Sequence, residues 1–587
     1  MKQIEFYERV QALLEGLGRK ELQAVVSQLA TLVAEDQREA FLKLLQTPPG
    51  RGEAERLSDL TAKIKSDLEQ RVEKHIREFE PINRGKRVLD SRIYWKPDKE
   101  LGSIKTYVVY DKRHILKGFN AAVFLLHECL RTGLYDLGYR LAMEILDIRV
   151  QVTGPYLEHD TRPLTIYQLD RQSLLSRDYG DVLSESFFFT YMVTESPERP
   201  ARIYEMIESN GYWPSLERIL RLGGGTLPGF AEFLQLWLSY LASRDEKRVN
   251  SLLKEALKYE NDLHFLLTLT HDYDSKYPWL YEDLLSRLKR VGKWKEILLL
   301  GQIAIERLPE EYVIRSEIAM SAAAAAWKLG QVDPAEECCL VAFESHCHAV
   351  HYLRLRFSCR DWTGYADRVR AAYENAWRTG QEPKQSPSVS GRGDSLRRNE
   401  LDPKAYLALL LFDERFREAL DFARENNPAK SGYHVAKEDL VSLALPLLCQ
   451  ASEPGQGMLL VLVRAVVAAR FGAASYNEAA AVPLQGTDGE ALWSLIQKWK
   501  AEARITEAER EKYLTELETF VFLLVDEILG NQDRENYEWA AAWLVALGEV
   551  WESCGHEGRK AELVSRFLRK YPRLSSFKKE LGRYGEL

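Results

Sequence analysis

The chain has 587 residues, 45% of them hydrophobic and 29% charged, and a formal net charge of -8. That balance describes a folded protein with a sizeable core, arranged as about three or four domains or as one elongated repeat array, and it excludes wholesale disorder. The acidic charge argues against a generic nucleic-acid coat, leaving open a local basic groove, and seven scattered cysteines (Cys129, Cys338, Cys339, Cys347, Cys359, Cys449 and Cys554) are an odd set that excludes a disulfide framework.

The first residues, MKQIEFYERVQALLEG, place Glu5 and Glu8 where a secretory signal needs an unbroken apolar run, so export is not expected. Ile4, Tyr7, Val10, Leu13 and Leu14 share one helical face, and Leu22, Val25, Val26, Leu29 and Leu32 share another. With a third segment at 35–45 they predict a small helical unit over 1–47, which PPGRG at 48–52 ends. A long amphipathic helix follows over 53–80, with Leu57, Leu60, Ile64, Leu68, Val72 and Ile76 at spacings of three and four.

Residues 81–112 are the least helical part of the first half. RVLDSRIYW and SIKTYVVY carry β-branched and aromatic residues that suit a small hairpin or an ordered loop lying over the helices. Helices resume over 113–379, broken at 151–162 and at GGGTLPG, 223–229. The stretch 380–400, GQEPKQSPSVSGRGDSLRRNE, lacks apolar anchors and predicts a linker before a C-terminal helical block, 401–587. Within that block MLLVLVRAVVAAR, 458–470, is too short to span a bilayer and carries Arg464, so it reads as a buried core helix. The expectation is therefore an all-α, cytoplasmic protein with no membrane partner.

A recurrence runs through the middle of the chain. Gly330 and Ala342 lie twelve residues apart, Gly364 and Ala376 repeat the interval thirty-four residues later, and Gly292 and Ala304 show it again, with Trp294 and Pro309 in step. Glycine suits a left-handed helix cap, alanine a close helix crossing, and proline a helix stop. Over 278–383, in GKWKEILLLGQIAIERLP, AAAAAWKLGQVDPAEECCLVAF and RDWTGYADRVRAAYENAW, the chain resembles the tetratricopeptide-repeat (TPR) superfamily. Weaker likenesses fall at 131–146, at 412–428 and in the C-terminal VALGEVWESCGHEGRKAELVSRFLRKYP. The resemblance implies an irregular TPR-like α-solenoid of helix-turn-helix pairs with a concave surface lined by first helices. It places Trp279, Glu282, Ser286, Lys289 and Arg290 on that surface, then Glu317, Met320, Trp327 and Lys328, then His351, Arg354 and Trp362. Mixed aromatic and charged residues of this kind suit recognition of another protein or a peptide.

CCLVAFESHCHAVHYLRLRFSC, 338–359, concentrates four cysteines and three histidines. The repeat register puts Cys338 and Cys339 in a packed second helix, His346, Cys347 and His348 at a turn, and His351 at the start of the next helix. A small buried thiol is an ordinary core residue, whereas zinc needs four convergent ligands and no finger spacing occurs. Packing is the expected role, with three-histidine metal binding as the competing one. HDYD at 271–274 and EHD at 158–160 set carboxylates beside histidine, a pattern open to metal-assisted hydrolysis. RGD at 392–394 and GGGT at 223–226 lack the context their motifs require. Nucleophile-elbow, zincin, dinucleotide and kinase signatures do not occur. The sequence thus points to a cytoplasmic scaffold or adaptor without a cofactor; its competitors are a hydrolase or metal protein using 346–351 or 271–274, and a regulator with a nucleic-acid partner, which the acidic charge disfavours.

Overall fold

A computed structural model describes residues 51–98, 102–154, 163–381, 399–425, 437–480 and 483–584. The helical unit expected over 1–47, the EHD motif, the body of the 380–400 linker and its RGD lie outside these residues. Among the described residues there are 26 α-helices and one three-stranded sheet, and no helix is long and apolar enough to cross a membrane. The chain divides into two units at Asn261/Asp262. That boundary falls inside the segment read as one block, 113–379, and the second unit continues from it through to the C-terminal helices.

The first unit opens with α1 (Arg51–Asn83), whose Leu68, Val72 and Phe79 are buried against α2 (Leu116–Thr132) and α3 (Tyr135–Leu146). Between α1 and α2 the chain forms a hairpin: β1 (Val88–Asp98) pairs antiparallel with β2 (Gly102–Tyr110), in register from Asp90 opposite Tyr110 to Asp98 opposite Gly102. β3 (Gln151–Thr153) adds in parallel to the start of β1. Of the two sequence readings, the hairpin is the one the chain adopts. The unit continues through α4 (Ile166–Arg171), α5 (Tyr179–Val193), α6 (Arg199–Asn210), α7 (Leu216–Leu222), α8 (Phe230–Ser243) and α9 (Val249–Leu257). Helix α5 is buried on every side because it reads SFFFTY where other helices alternate with polar residues. Its Glu185 is interior, and the carboxylate is satisfied by Arg177 (2.8 and 2.9 Å) and His127 Nδ1 (2.7 Å).

The second unit holds α10 (Leu263–Tyr273), α11 (Trp279–Arg290), α12 (Trp294–Arg307), α13 (Ile314–Lys328), α14 (Val332–Ser345), α15 (Ala349–Ser358) and α16 (Trp362–Gln381). It goes on with α17 (Pro403–Phe412), α18 (Phe416–Glu425), α19 (Lys437–Leu448), α20 (Gln456–Ala468) and α21 (Ala473–Asn477). It ends with α22 (Asp488–Glu502), α23 (Glu507–Gly530), α24 (Tyr537–Ser553), α25 (Arg559–Lys570) and α26 (Ser575–Gly582). From α11 to α15 each helix packs on the next, and α11 also reaches α13, as α14 reaches α16.

Two of the three glycine signals end helices as expected, and the third does not. Gly330 has φ 71°, and Gln331 N–H reaches back five residues to the Ala326 carbonyl (2.9 Å), closing α13 with a left-handed cap. Gly292 closes α11 in the same way, with Lys293 N–H on Leu288 O at 3.0 Å. A Cβ added to Gly301 would stand 2.6 Å from Ala322 Cβ, so α12 and α13 cross at their smallest residues. Gly364 departs from the pattern: it lies in the first turn of α16, where its N–H donates to the Asp361 carboxylate (3.3 Å), and ends no helix. The aspartate three residues earlier starts the helix there, and an N-cap overrides the glycine.

Segment 458–470 forms α20 but is buried on one side only. Met458, Val461, Leu462 and Ala465 pack on α19, α22 and α24, while Leu459, Val463 and Val467 are 51%, 55% and 68% exposed. Arg464, which looked out of place in an apolar run, pairs with Glu438 and Asp439 and lies 5.5 Å from the rings of Trp539 and Trp543.

Candidate functional site

The residues that the repeat register assigns to one face divide into two sets. Glu282, Ser286, Lys289 and Arg290 on α11 and Glu317 and Lys328 on α13 are exposed. Trp327 and Trp362 are half-buried, the latter 5.3 Å from the Tyr352 ring. Trp279, Met320, His351 and Arg354 are interior, and Arg354 is 1% exposed. Those four, expected on an open face, are instead packed against other residues of the chain. Trp279 packs on Tyr277 (6.2 Å), and the other three form one polar cluster beneath a later segment of the same chain.

That segment is α21 with its flanking residues. Arg354 donates from Nε to the Tyr476 carbonyl (3.1 Å) and from Nη2 to the Ser475 carbonyl, and its guanidinium lies 5.8 Å over the Tyr476 ring. Its Nη1 contacts Met320 Sδ (2.9 Å) and donates to His351 Nδ1 (2.8 Å). Lys289 reaches Glu478 at 3.4 Å. Lys289 of α11 and Arg354 of α15 thus meet on 475–478, with Met320 of α13 behind the guanidinium, an arrangement that no local motif announces. Burial lowers the Arg354 pKa, opposed by Cys339, Tyr476, Glu478 and Glu317, and burial pushes the Tyr476 phenol up to about 12. A guanidinium supplies planar, multidirectional donors, so it can hold main-chain carbonyls whatever side chains follow.

Next to this cluster lie the three histidines. His346 caps the end of α14, and His348 opens α15 by accepting the Val350 N–H at Nδ1 (3.2 Å). Their donor atoms and that of His351 fall within 4.8 Å of one another, the one such group among the described residues. The protons decide what it can do. Arg354 can only donate, so His351 Nδ1 is an acceptor, Nε2 carries the hydrogen and donates to Ser316 Oγ (3.1 Å). His351 therefore offers no free lone pair, and ligation by it requires a buried guanidinium to leave. Burial first, then the neighbouring histidine and arginine charges, hold His348 and His351 well below the usual histidine pKa. Cys347 is buried, accepts from Asn399 (3.3 Å), and has its thiol pushed up to about 12 by burial, as have Cys338 and Cys339. None is a ready thiolate.

The HDYD residues diverge. His271 and Asp272 are exposed, whereas Asp274 is interior and taken by Arg307 Nε (2.5 Å) and the Tyr281 hydroxyl (3.0 Å). GGGT forms the turn after α7, with Gly224 and Gly225 at φ 71° and 93°. A sequence signal for the buried hub did exist: LRLRF places two arginines in an apolar helix, and interior arginines come with fixed partners. Arg356, the second, donates to Phe412 O and Glu414 (both 3.1 Å). No model of a known protein family matches the chain, and no curated protein is significantly similar to it.

Proposed function

We propose that the chain is a cytoplasmic scaffold or adaptor whose helix pairs build an irregular TPR-like solenoid and whose first-helix face takes a peptide or protein surface. The observation that carries this reading is the set of bonds from Arg354 and Lys289 to the Ser475–Glu478 stretch. The same face holds a piece of its own chain through main-chain carbonyls, a carboxylate and an aromatic ring, which are the groups a bound peptide offers. Around that contact Glu282, Ser286, Arg290 and Lys328 remain exposed, a polar rim of the kind that surrounds a buried anchor.

The test is affinity capture of the tagged chain from its native host at moderate salt, with protein, nucleic acid and metal quantified in one eluate. The expected result is a stoichiometric protein that is lost when Lys289→Glu and Arg290→Glu are combined, with helicity unchanged. Capture that survives this double reversal, or an eluate holding nucleic acid alone, contradicts the reading.

A further inference from the structure

The face that binds Ser475–Glu478 does so through few groups, and they are arranged as a peptide site would be. Among the described residues, Arg354 and Lys289 supply the hydrogen bonds and the ion pair from the face to the segment, and Ala473, Tyr476 and Ala479 are buried. The segment's other anchors are local to it: Ala473 N–H donates to Asp488 (2.8 Å), and the Asn477 side chain exchanges hydrogen bonds with the Leu484 backbone (2.6 and 2.9 Å). On release of the segment the Asn477–Leu484 bonds would move with it, and the Ala473 bond to Asp488, the first residue of α22, would open. The stretch is bracketed by two left-handed residues, Arg470 at φ 49° and Gly486 at φ 94°. The left-handed backbone costs Arg470 about 1 kcal/mol, whereas glycine adopts it freely at 486. Helix α21 has five residues, too short to be stable without the face beneath it.

We infer that the face built by α11, α13 and α15 is a peptide site filled in cis by residues 473–478, and that its partner is a peptide with an aromatic residue followed two positions later by a carboxylate. Tyr476 and Glu478 define that chemistry. The ring lies under the Arg354 guanidinium, the carboxylate meets the Lys289 ammonium, and the carbonyls before and at the aromatic residue take the two remaining guanidinium donors. A trans peptide with the same three features replaces each bond, so release of the cis segment leaves no buried donor unpaired. The inference rests on the interaction reading above and adds to it the class of partner and its competition with the chain itself.

The test uses the full chain and a fluorescent peptide of the sequence Gly472–Ala480. A Tyr476→Ala/Glu478→Lys variant should bind the peptide at least tenfold more tightly than the wild type by anisotropy. Adding Lys289→Glu should cost that variant about tenfold, and a peptide carrying the Y476A and E478K changes should not bind. Equal affinity of wild type and opened variant, or equal binding of the altered peptide, overturns the inference. If the opened variant does not fold, hydrogen exchange on the wild type decides: amides of 473–478 exchanging ahead of α13 support release, and exchange in step with α13 overturns it. Failure here with capture still dependent on Lys289 and Arg290 removes only the cis occupancy. Failure of both removes the interaction reading as well.

Discussion

Arg354 and Tyr476, 122 residues apart, are joined twice: the guanidinium Nε donates to the tyrosine carbonyl at 3.1 Å, and the same guanidinium lies 5.8 Å from the ring centroid. Replacing it with a side chain of similar length and no donors, Arg354→Met, leaves the Ser475 and Tyr476 carbonyls and His351 Nδ1 without their donor. The expected loss is about 3 kcal/mol, with Arg354→Lys in between because an ammonium cannot fork. Urea unfolding checks this through the transition midpoint at unchanged slope. A loss below about 1 kcal/mol for Arg354→Met would show the hub to be dispensable.

The buried imidazoles make stability depend on pH in a fixed direction. His348 and His351 are held well below 6.5 in the folded chain, by burial foremost and then by His346 and Arg354. Below pH 6.5 the unfolded chain takes up protons that the folded chain refuses, so stability falls as pH falls, by up to about 1.4 kcal/mol per pH unit for each imidazole. Denaturation at pH 7.5 and 5.5 should show this loss, and His351→Gln should reduce its slope. A stability that does not change across that interval contradicts the burial argument.

Zinc gives an independent check on the proton assignment at the same turn. With His351 Nδ1 accepting from Arg354 and Nε2 donating to Ser316, equimolar zinc should leave the melting temperature unchanged and purified protein should carry no stoichiometric metal. One retained zinc per chain with a raised melting temperature would mean that Arg354 gives way to the ion.

Two glycines separate close packing from backbone conformation. Gly301→Ala sets a Cβ 2.6 Å from Ala322 Cβ, forcing α12 and α13 apart at an estimated cost of about 1–3 kcal/mol. Gly330→Ala meets no atom within 4 Å, so its cost is the left-handed backbone alone, about 1 kcal/mol. Thermal melts of the two variants should rank them in that order.

Much of the helical pattern was legible because its causes are local. The capping of α11 by Gly292 and α13 by Gly330 follows from glycine's access to positive φ, and the turn at His346–His348 follows from the register of α14. The long helix expected over 53–80 runs from Arg51 to Asn83 for the same reason, a period of three and four. What escaped reading depends on residues far apart. Nothing near Arg354 indicates that Ser475 will lie on it, so Met320, His351 and Arg354, expected at an open surface, are interior. Gly364 misled because spacing alone does not reveal that Asp361 already caps α16. MLLVLVRAVVAAR misled because apolar content does not reveal how many sides of a helix find neighbours.

The measurement that tests the account most directly is elution of the captured partner by the free peptide Gly472–Ala480. If the face on α11, α13 and α15 is where the partner binds, the peptide releases it, and the peptide altered at Tyr476 and Glu478 does not. Retention of the partner at saturating peptide, or equal release by both peptides, would place its binding elsewhere on the chain.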